Sequence, residues 1–434
     1  MNRNSSHETG QILVIFAVAL VVMLGFAALA IDGGMIFVDR RYSQSVADTS
    51  SLAGAGSAAQ YLEEKGIRWA NFHCSTDPAS LVKQALDVGY TAAVSRAASN
   101  QVTTLDRDIS DMHGVEITCT ETGFQKYIDV KTIITSTVAT SLVQIVYPFP
   151  IRNTVTAVVR IHPRTELAYN RAVVSLSDTC ANNDGGIVFD GTSDVFIHGG
   201  GVYSNSCIEA SGNVHVDVNN GGIDYVGSLT THGNPVLDPN PARFSAPMPR
   251  QYIGPLGCGS SAPVSVNNSG DIGPGNYSLI KLTNGTLRLS PGLYCMTGDV
   301  EIQGGEILGD GITFYMMKDG SKNTNVSING NATVHLNAPT EANVVGGAKV
   351  GLLFYMADGN AGNVSLLGNA GSSFTGAVFG GDASIDVGGT TGVNPTYNTQ
   401  LVGKYVKVHG NSQIDINFET LPLYNEEPTL DSIE

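Results

Sequence analysis

The feature that most constrains this chain is a short pattern recurring through its second half: apolar-x-apolar-x-Gly-Asn, followed within two residues by another apolar pair. It occurs as Ile208 to Val216, Val326 to Val334, Val364 to Asn369 and Val406 to Ile414, with corners at Gly212-Asn213, Gly330-Asn331, Gly368-Asn369 and Gly410-Asn411. Alternation of apolar and polar residues is the period of a strand, and Gly or Asn supplies the positive φ that a sharp corner needs. A strand–corner–strand unit cannot bury its apolar face alone, but copies stacked on one another form a continuous core. The last two Gly-Asn intervals are near 40 residues, so each is expected to hold two turns of roughly 20 residues. The expected fold of residues 180–420 is therefore a right-handed parallel β-helix. A β-sandwich is the alternative, and would require hairpin turns about every 8 to 12 residues. Asn side chains at successive corners are expected to stack in hydrogen-bonded ladders. Pro235 to Pro255 interrupts the series and is expected to cross the side of the solenoid as a loop that offers a binding surface.

The second constraint is at the other end of the chain. Ile12 to Ile31 (ILVIFAVALVVMLGFAALAI) carries no charge and no proline, and about 20 residues rising 1.5 Å each match the ~30 Å hydrocarbon core of a bilayer. A cleaved signal peptide competes, since Ala28-Leu29-Ala30 offers a small-x-small site and Arg3 a minimal positive region. Against it, the run is longer than the ~7–15 apolar residues of a signal sequence, and a helical pattern continues past it. A prepilin leader would place Glu five positions after its Gly, whereas Ile15 follows Gly10. Charge nearly ties the orientation, with Arg3 on one side and Arg40-Arg41, offset by Asp32 and Asp39, on the other. The cysteine usage and the acidic, Gly-rich remainder favour residues 1–11 as a cytoplasmic tail and everything after Asp32 as exported.

Beyond the apolar run, Val38, Tyr42, Val46 and Thr49 recur at helical spacing, so the helix is expected to reach about Leu62, with a loosening at Gly33-Gly34. Ala47, Ala53, Ala55, Ala58 and Ala59 permit close approach of another backbone. The order of parts here carries a resemblance: Gly10-Gln11-Ile12 opening the apolar helix, Ala30-Ile31-Asp32-Gly33-Gly34, the basic pair Arg40-Arg41, then Ser45-Val46-Ala47-Asp48-Thr49-Ser50-Ser51-Leu52-Ala53-Gly54-Ala55. It resembles the N-terminal part of TadG-like proteins of the Flp (tight-adherence) pilus-assembly system, over about residues 10–60. The departures are Ser45-Val46 for the usual Asn-Ala and Thr49-Ser50-Ser51 for alanines. The resemblance implies an uncleaved anchor and a role in pilus assembly or surface attachment, and it implies no catalytic residue.

Pro78 to Ala98 reads as a further helix. Val115 to Cys119, Tyr127 to Ile133 and Val155 to Ile161 read as strands rich in β-branched residues. The expected organisation is a tail (1–11), a transmembrane helix (12–31), a pilin-like helix with a small antiparallel sheet (32–165), a linker (166–179), the solenoid (180–420) and an acidic tail (421–434).

Composition narrows the chemistry. A net charge of -16 without a Lys/Arg cluster repels nucleic acid. Six cysteines, Cys74, Cys119, Cys180, Cys207, Cys258 and Cys295, lie far apart with no CxxC. Structural disulfides are expected, paired in sequence order out of 15 possible connectivities, with buried free thiols as the competing reading. His198, His215 and His232 are spaced evenly by 17 residues and would form a metal-binding column on regular turns of that length. A polysaccharide lyase would need clustered carboxylates and a base. Asp184, Asp190, Asp194, Asp217 and Asp224 are the candidates for the first, Arg243 and Arg250 for the second, but Asp is also the ordinary residue of such turns. The expectation is a non-enzymatic protein with no cofactor, held in the bilayer by residues 12–31 and meeting pilus-assembly proteins or an extracellular glycan. An anchored polysaccharide-active enzyme and an adhesin with no pilus role are the alternatives.

Overall fold

The computed structural model describes residues 11–103, 105–107, 112–138, 140, 149–180, 186–369, 371–389, 395–419 and 424–433. Residues 1–10 and Asp184 lie outside them. The chain forms two units, one of residues 1–165 with 427–434 and one of residues 166–426.

The first unit is built on helix α1, Gln11–Glu64, which runs 54 residues, about 80 Å at 1.5 Å per residue. Gly33 and Gly34 do not interrupt it. Its buried positions Ser43, Val46, Ala47, Ser50, Ser51, Gly54, Ala55, Ala58 and Leu62 recur every three or four residues, one stripe of a 3.6-residue helix. That stripe seats on an antiparallel sheet of β1 (Gly114–Thr122), β2 (Gln125–Val138) and β3 (Ile151–His162), with β1 and β2 joined at Gly123 (φ 59°). Helix α2, Leu81–Ser99, crosses α1 where Gly54 faces Gly89. Small residues make that crossing close, and there Ser50 Oγ donates to Ala93 O at 2.7 Å; on the sheet side Ser51 Oγ donates to Thr132 Oγ1 at 2.9 Å. Part of the expected acidic tail, residues 421–434, joins this sheet. Thr429–Ile433 pairs antiparallel with β3, Leu430 opposite Ile161, and completes a four-stranded sheet at its open edge.

The second unit is a three-faced parallel solenoid, and every strand pairing within its large sheet is parallel among the described residues, which excludes the sandwich. Its turns step by 21 residues where Ser211 stacks on Asp190 and by 20 where Glu301 stacks on Lys281. The interval Gly330 to Gly368, expected as two turns, is instead one: His335 meets Ser373 38 positions on, and residues 338–351 leave the stack as a loop. The solenoid also starts earlier than residue 180. Val173–Ser175, inside the expected linker, pairs with Val202–Ser204 on one side and Leu401 to Gly403 on the other.

That last pairing reveals the winding. The chain enters in the middle of the stack and winds to one end at Arg243. It then crosses to the opposite end, where Val264–Val266 begins, and winds back until Ile414–Asn417 pairs with Asp194–His198. The crossing, residues 244–263, is a strap laid over one face. On that face Cys295, Tyr315, Tyr355, Phe379, Val402, Val174 and Tyr203 stack outward in register through seven turns. The strap covers them with Met248, Ile253 and Leu256, all buried. The Tyr203 hydroxyl donates to Ala246 O, that of Tyr355 to Ile253 O, and Cys258 is bonded to Cys295. Strands under the strap, Gly292–Met296, Ile312–Met316 and Leu352–Met356, are buried at every position, as expected of strands covered on both sides. Strands of the other faces alternate, as in Ala332–Asn337.

Inside, Tyr277, Tyr294, Phe314 and Phe354 stack with ring centroids 5.7, 5.5 and 5.2 Å apart, within the favourable range for aromatic pairs. At one corner glycines rather than asparagines form the ladder: Gly389, Gly410, Gly191, Gly212 and Gly233 lie in register. The core thins only at the two ends, at Tyr225, Leu229 and Leu237 and at Val266 and Ile272. Pro235, Pro239 and Pro241 and Pro263 and Pro274 flank those end strands, and proline beside an edge strand discourages pairing with another chain.

Candidate membrane-anchoring site

Along α1 two surfaces meet. From Leu13 to Ile31 nearly every side chain is exposed, and its most apolar window has a mean hydropathy of 3.0 with none of it buried. Length and composition make this a candidate membrane span. Apolar exposure does not stop at Ile31, for Phe37 is 61 % and Val38 66 % exposed. Asp32 is the exception, fully buried. Asp39 ties the helix to the sheet, accepting hydrogen bonds from Ser136 Oγ and, at 3.4 Å, from Asn153 Nδ2. An open groove of about 550 Å³ lies there, lined by Gly34, Met35, Val38, Asp39, Tyr42, Thr137 and Val138. Arg40 and Arg41 are exposed beside it, the Arg41 guanidinium 5.8 Å from the Phe37 ring centroid. Lys/Arg and aromatic side chains of this kind suit the head-group level of a bilayer.

Residues 10–58 match the Tad family model, described as putative Flp pilus-assembly TadE/G-like. No curated protein and no solved structure matches the chain. The Tad segment thus holds both the bare apolar half of α1 and the half seated on the sheet. Its small residues have a physical reason here: Ala47, Ser50, Ser51, Gly54, Ala55 and Ala58 are buried against α2 and the sheet, where larger side chains would push the elements apart.

The other residues singled out in the sequence fall elsewhere. His198, His215 and His232 do not form a column. The turn is 21 residues, not 17, so a 17-residue spacing drifts along the strand: His215 lies opposite Asp194 and His232 opposite Ser211. His215 Nδ1 is 3.4 Å from Asp194 and His198 Nε2 3.9 Å from Asp415. The acids are dispersed among separate partners. Asp190 accepts from Ser211 Oγ at 2.6 Å, Asp224 pairs with Arg171 at 2.8 Å, and Arg243 donates to Val226 O. Arg250 is on the strap, forked onto Asp382 at 3.0 and 2.8 Å and paired with Asp358. The guanidinium holds the Asp382 carboxyl below its ordinary range. No group of three or more His, Cys, Asp or Glu that could hold a metal occurs among the described residues.

Cys74 is bonded to Cys119 and Cys258 to Cys295. Cys180 and Cys207, the remaining pair expected in sequence order, are not bonded to each other in this structure. One surface escaped the sequence reading. A polar groove of about 420 Å³ runs across turns on an uncovered face, lined by Asn325, Asn363, Ser384, Asp386, Tyr405 and Lys407 among others. His409 Nε2 lies 2.9 Å from Asp386 and Lys407 Nζ 3.8 Å from Asp190. These residues sit on different turns, so only the 20–38 residue step of the stack brings them together.

Proposed function

We propose that this protein is a membrane-anchored, exported structural component of pilus assembly or surface attachment. Residues 1–11 lie in the cytoplasm, and the solenoid on the far side of the membrane is the contact surface. The observation that carries the reading is the Tad match at 10–58 on a helix whose first half is bare and apolar and whose second half is locked into a folded unit. The exposed Phe37, Val38 and Tyr42 with Arg40-Arg41 support a head-group boundary near residue 40, so that in this reading the sheet packs on the part of the helix that has left the lipid. The role is non-enzymatic in this reading. Its support is the dispersal of Asp190, Asp194, Asp217 and Asp224 over several turns with separate partners or neighbours, where acid–base chemistry needs convergent groups.

A glycan as the contacted partner is favoured by the polar groove at Asn363, Ser384, Asp386 and Lys407, whose amide, hydroxyl and charged groups match sugar hydroxyls. The experiment combines fractionation with protease protection of intact cells or spheroplasts. The expected result is a chain released only by detergent, whose solenoid is digested from outside. Recovery in the soluble fraction, or protection of the solenoid until lysis, overturns the reading. Cross-linking of the full chain with detection of pilus-assembly components then separates a pilus role from an adhesin that works alone.

A further inference from the structure

We propose that Cys180 and Cys207 are a third cystine site, closing a bond between successive turns of the solenoid. Cys180 lies between Val173–Ser175 and Gly186–Gly191 of one turn, and Cys207 occupies the same corner of the next, between Val202–Ser204 and Ile208–Gly212. The corners stack: Ile187 N donates to Cys207 O at 2.9 Å, and Ile208 N to Ser228 O at 3.0 Å. Cys180 reaches over this corner, its Sγ 4.0 Å from Ser228 Oγ. Glycines make the room. A Cβ on Gly186 would lie 2.8 Å from Cys207 Sγ, and one on Gly227 would lie 3.4 Å from Cys180 Sγ. Burial first, and then the neighbouring Cys180 thiol, pushes the Cys207 thiol up to about 12.

The asymmetry sets the order of the reaction. Cys180 is exposed and Cys207 partly buried, so Cys180 reacts first. As a thiolate it attacks an external disulfide, of a small molecule or an oxidoreductase, forms a mixed disulfide and expels one thiolate. The Cys207 thiol then loses its proton, attacks the Cys180 sulfur and expels the second thiolate. Two protons leave the cysteines and two electrons pass to the external disulfide. The bond forms at the seam of the solenoid, where Gly186 also pairs with Tyr405 of the returning chain. Oxidation in the cell rests on the exported reading above.

The test uses the full-length chain, alkylated at lysis, extracted in detergent without reductant and mapped by mass spectrometry. The expected result is no free thiol and a peptide pair joined through Cys180 and Cys207, with Cys180→Ser leaving Cys207 alkylated after denaturation. If Cys74–Cys119 and Cys258–Cys295 are oxidised while Cys180 and Cys207 both carry the alkyl label, the proposal is overturned. If all six cysteines are labelled, the exported reading fails instead. Incubation of the same folded chain with oxidised glutathione then decides the site: a Cys180–Cys207 bond supports it, and mixed disulfides or free thiols overturn it.

Discussion

Thr192 hydrogen-bonds Asn411 across 219 positions of sequence, Oγ1 to Oδ1 at 3.3 Å. The contact marks the seam at which the last turns of the solenoid close on the first, with Gly410 in register beside Gly191. No local pattern announces it. The winding that starts in the middle and returns by the strap brings these corners together.

The glycine ladder at that corner leaves no room for a side chain. Gly233 has φ of 85°, and a Cβ there would meet the Gly212 carbonyl oxygen at 2.5 Å. Gly233→Ala is expected to lower stability by about 1–3 kcal/mol from backbone strain, read as a lower denaturation midpoint of the full chain in detergent. Gly273→Ala, with nothing within 4 Å, should leave the midpoint near the parent's; equal effects would remove the ladder argument.

Two glycines on α1 carry opposite signs. A Cβ on Gly54 would lie 2.9 Å from Gly89 O and 3.0 Å from Val130 Cγ1, whereas one on Gly56 meets nothing within 4 Å. Gly54→Val should destabilise the first unit by about 1–3 kcal/mol through overpacking. Gly56→Ala should stabilise the helix by about 0.5–1 kcal/mol. Thermal unfolding followed by helical circular dichroism distinguishes them.

The strap is held by a pH-sensitive clasp. Arg250 keeps Asp382 ionised below the ordinary carboxyl value of 3.8. Because the folded value is depressed, the stabilisation is fully present above pH 3.8 and is lost as the pH falls through the folded value, while Arg250 stays charged. Hydrogen exchange at residues 244–256 should rise on acidification below that range. Asp382→Asn should raise it already at neutral pH, with the solenoid's interior strands unchanged.

Loss of Cys258–Cys295 should loosen the same strap from its other end. Cys258→Ser is expected to cost about 2–4 kcal/mol and to open residues 244–263 to limited proteolysis, since Ile253 and Leu256 would no longer be pinned over Tyr355 and Tyr315. Unchanged cleavage would show that the apolar stripe alone holds the strap.

The candidate membrane span makes the simplest prediction. Val21 is exposed on α1, and Val21→Arg puts a charge near the centre of the span at about 2.5–3.5 kcal/mol. The variant should shift from the membrane pellet toward the soluble fraction, whereas Val21→Leu should not.

The sequence by itself determined what local chemistry can encode: an apolar run long enough to cross a bilayer, a small-residue helix after it, and strands cornered by glycine. Each depends on neighbours a few positions away. The solenoid class was legible because its period repeats, but its winding was not. The order of turns depends on Val173 meeting Leu401 and Gly191 meeting Gly410, pairings whose signal is spread over more than 200 positions. For the same reason the histidines at 17-residue spacing looked like a column until the 21-residue turn set the register. The Pro-rich stretch Pro235 to Pro255 was legible as a break in the series, but its first part stays in the stack as Val236–Asp238 and Ala242–Arg243, and the strap begins only after it, over a stripe from Cys295 to Tyr203 that exists only once seven turns are stacked. Burial of both surfaces of a strand is a property of what lies above and below it, and no single strand's sequence contains that.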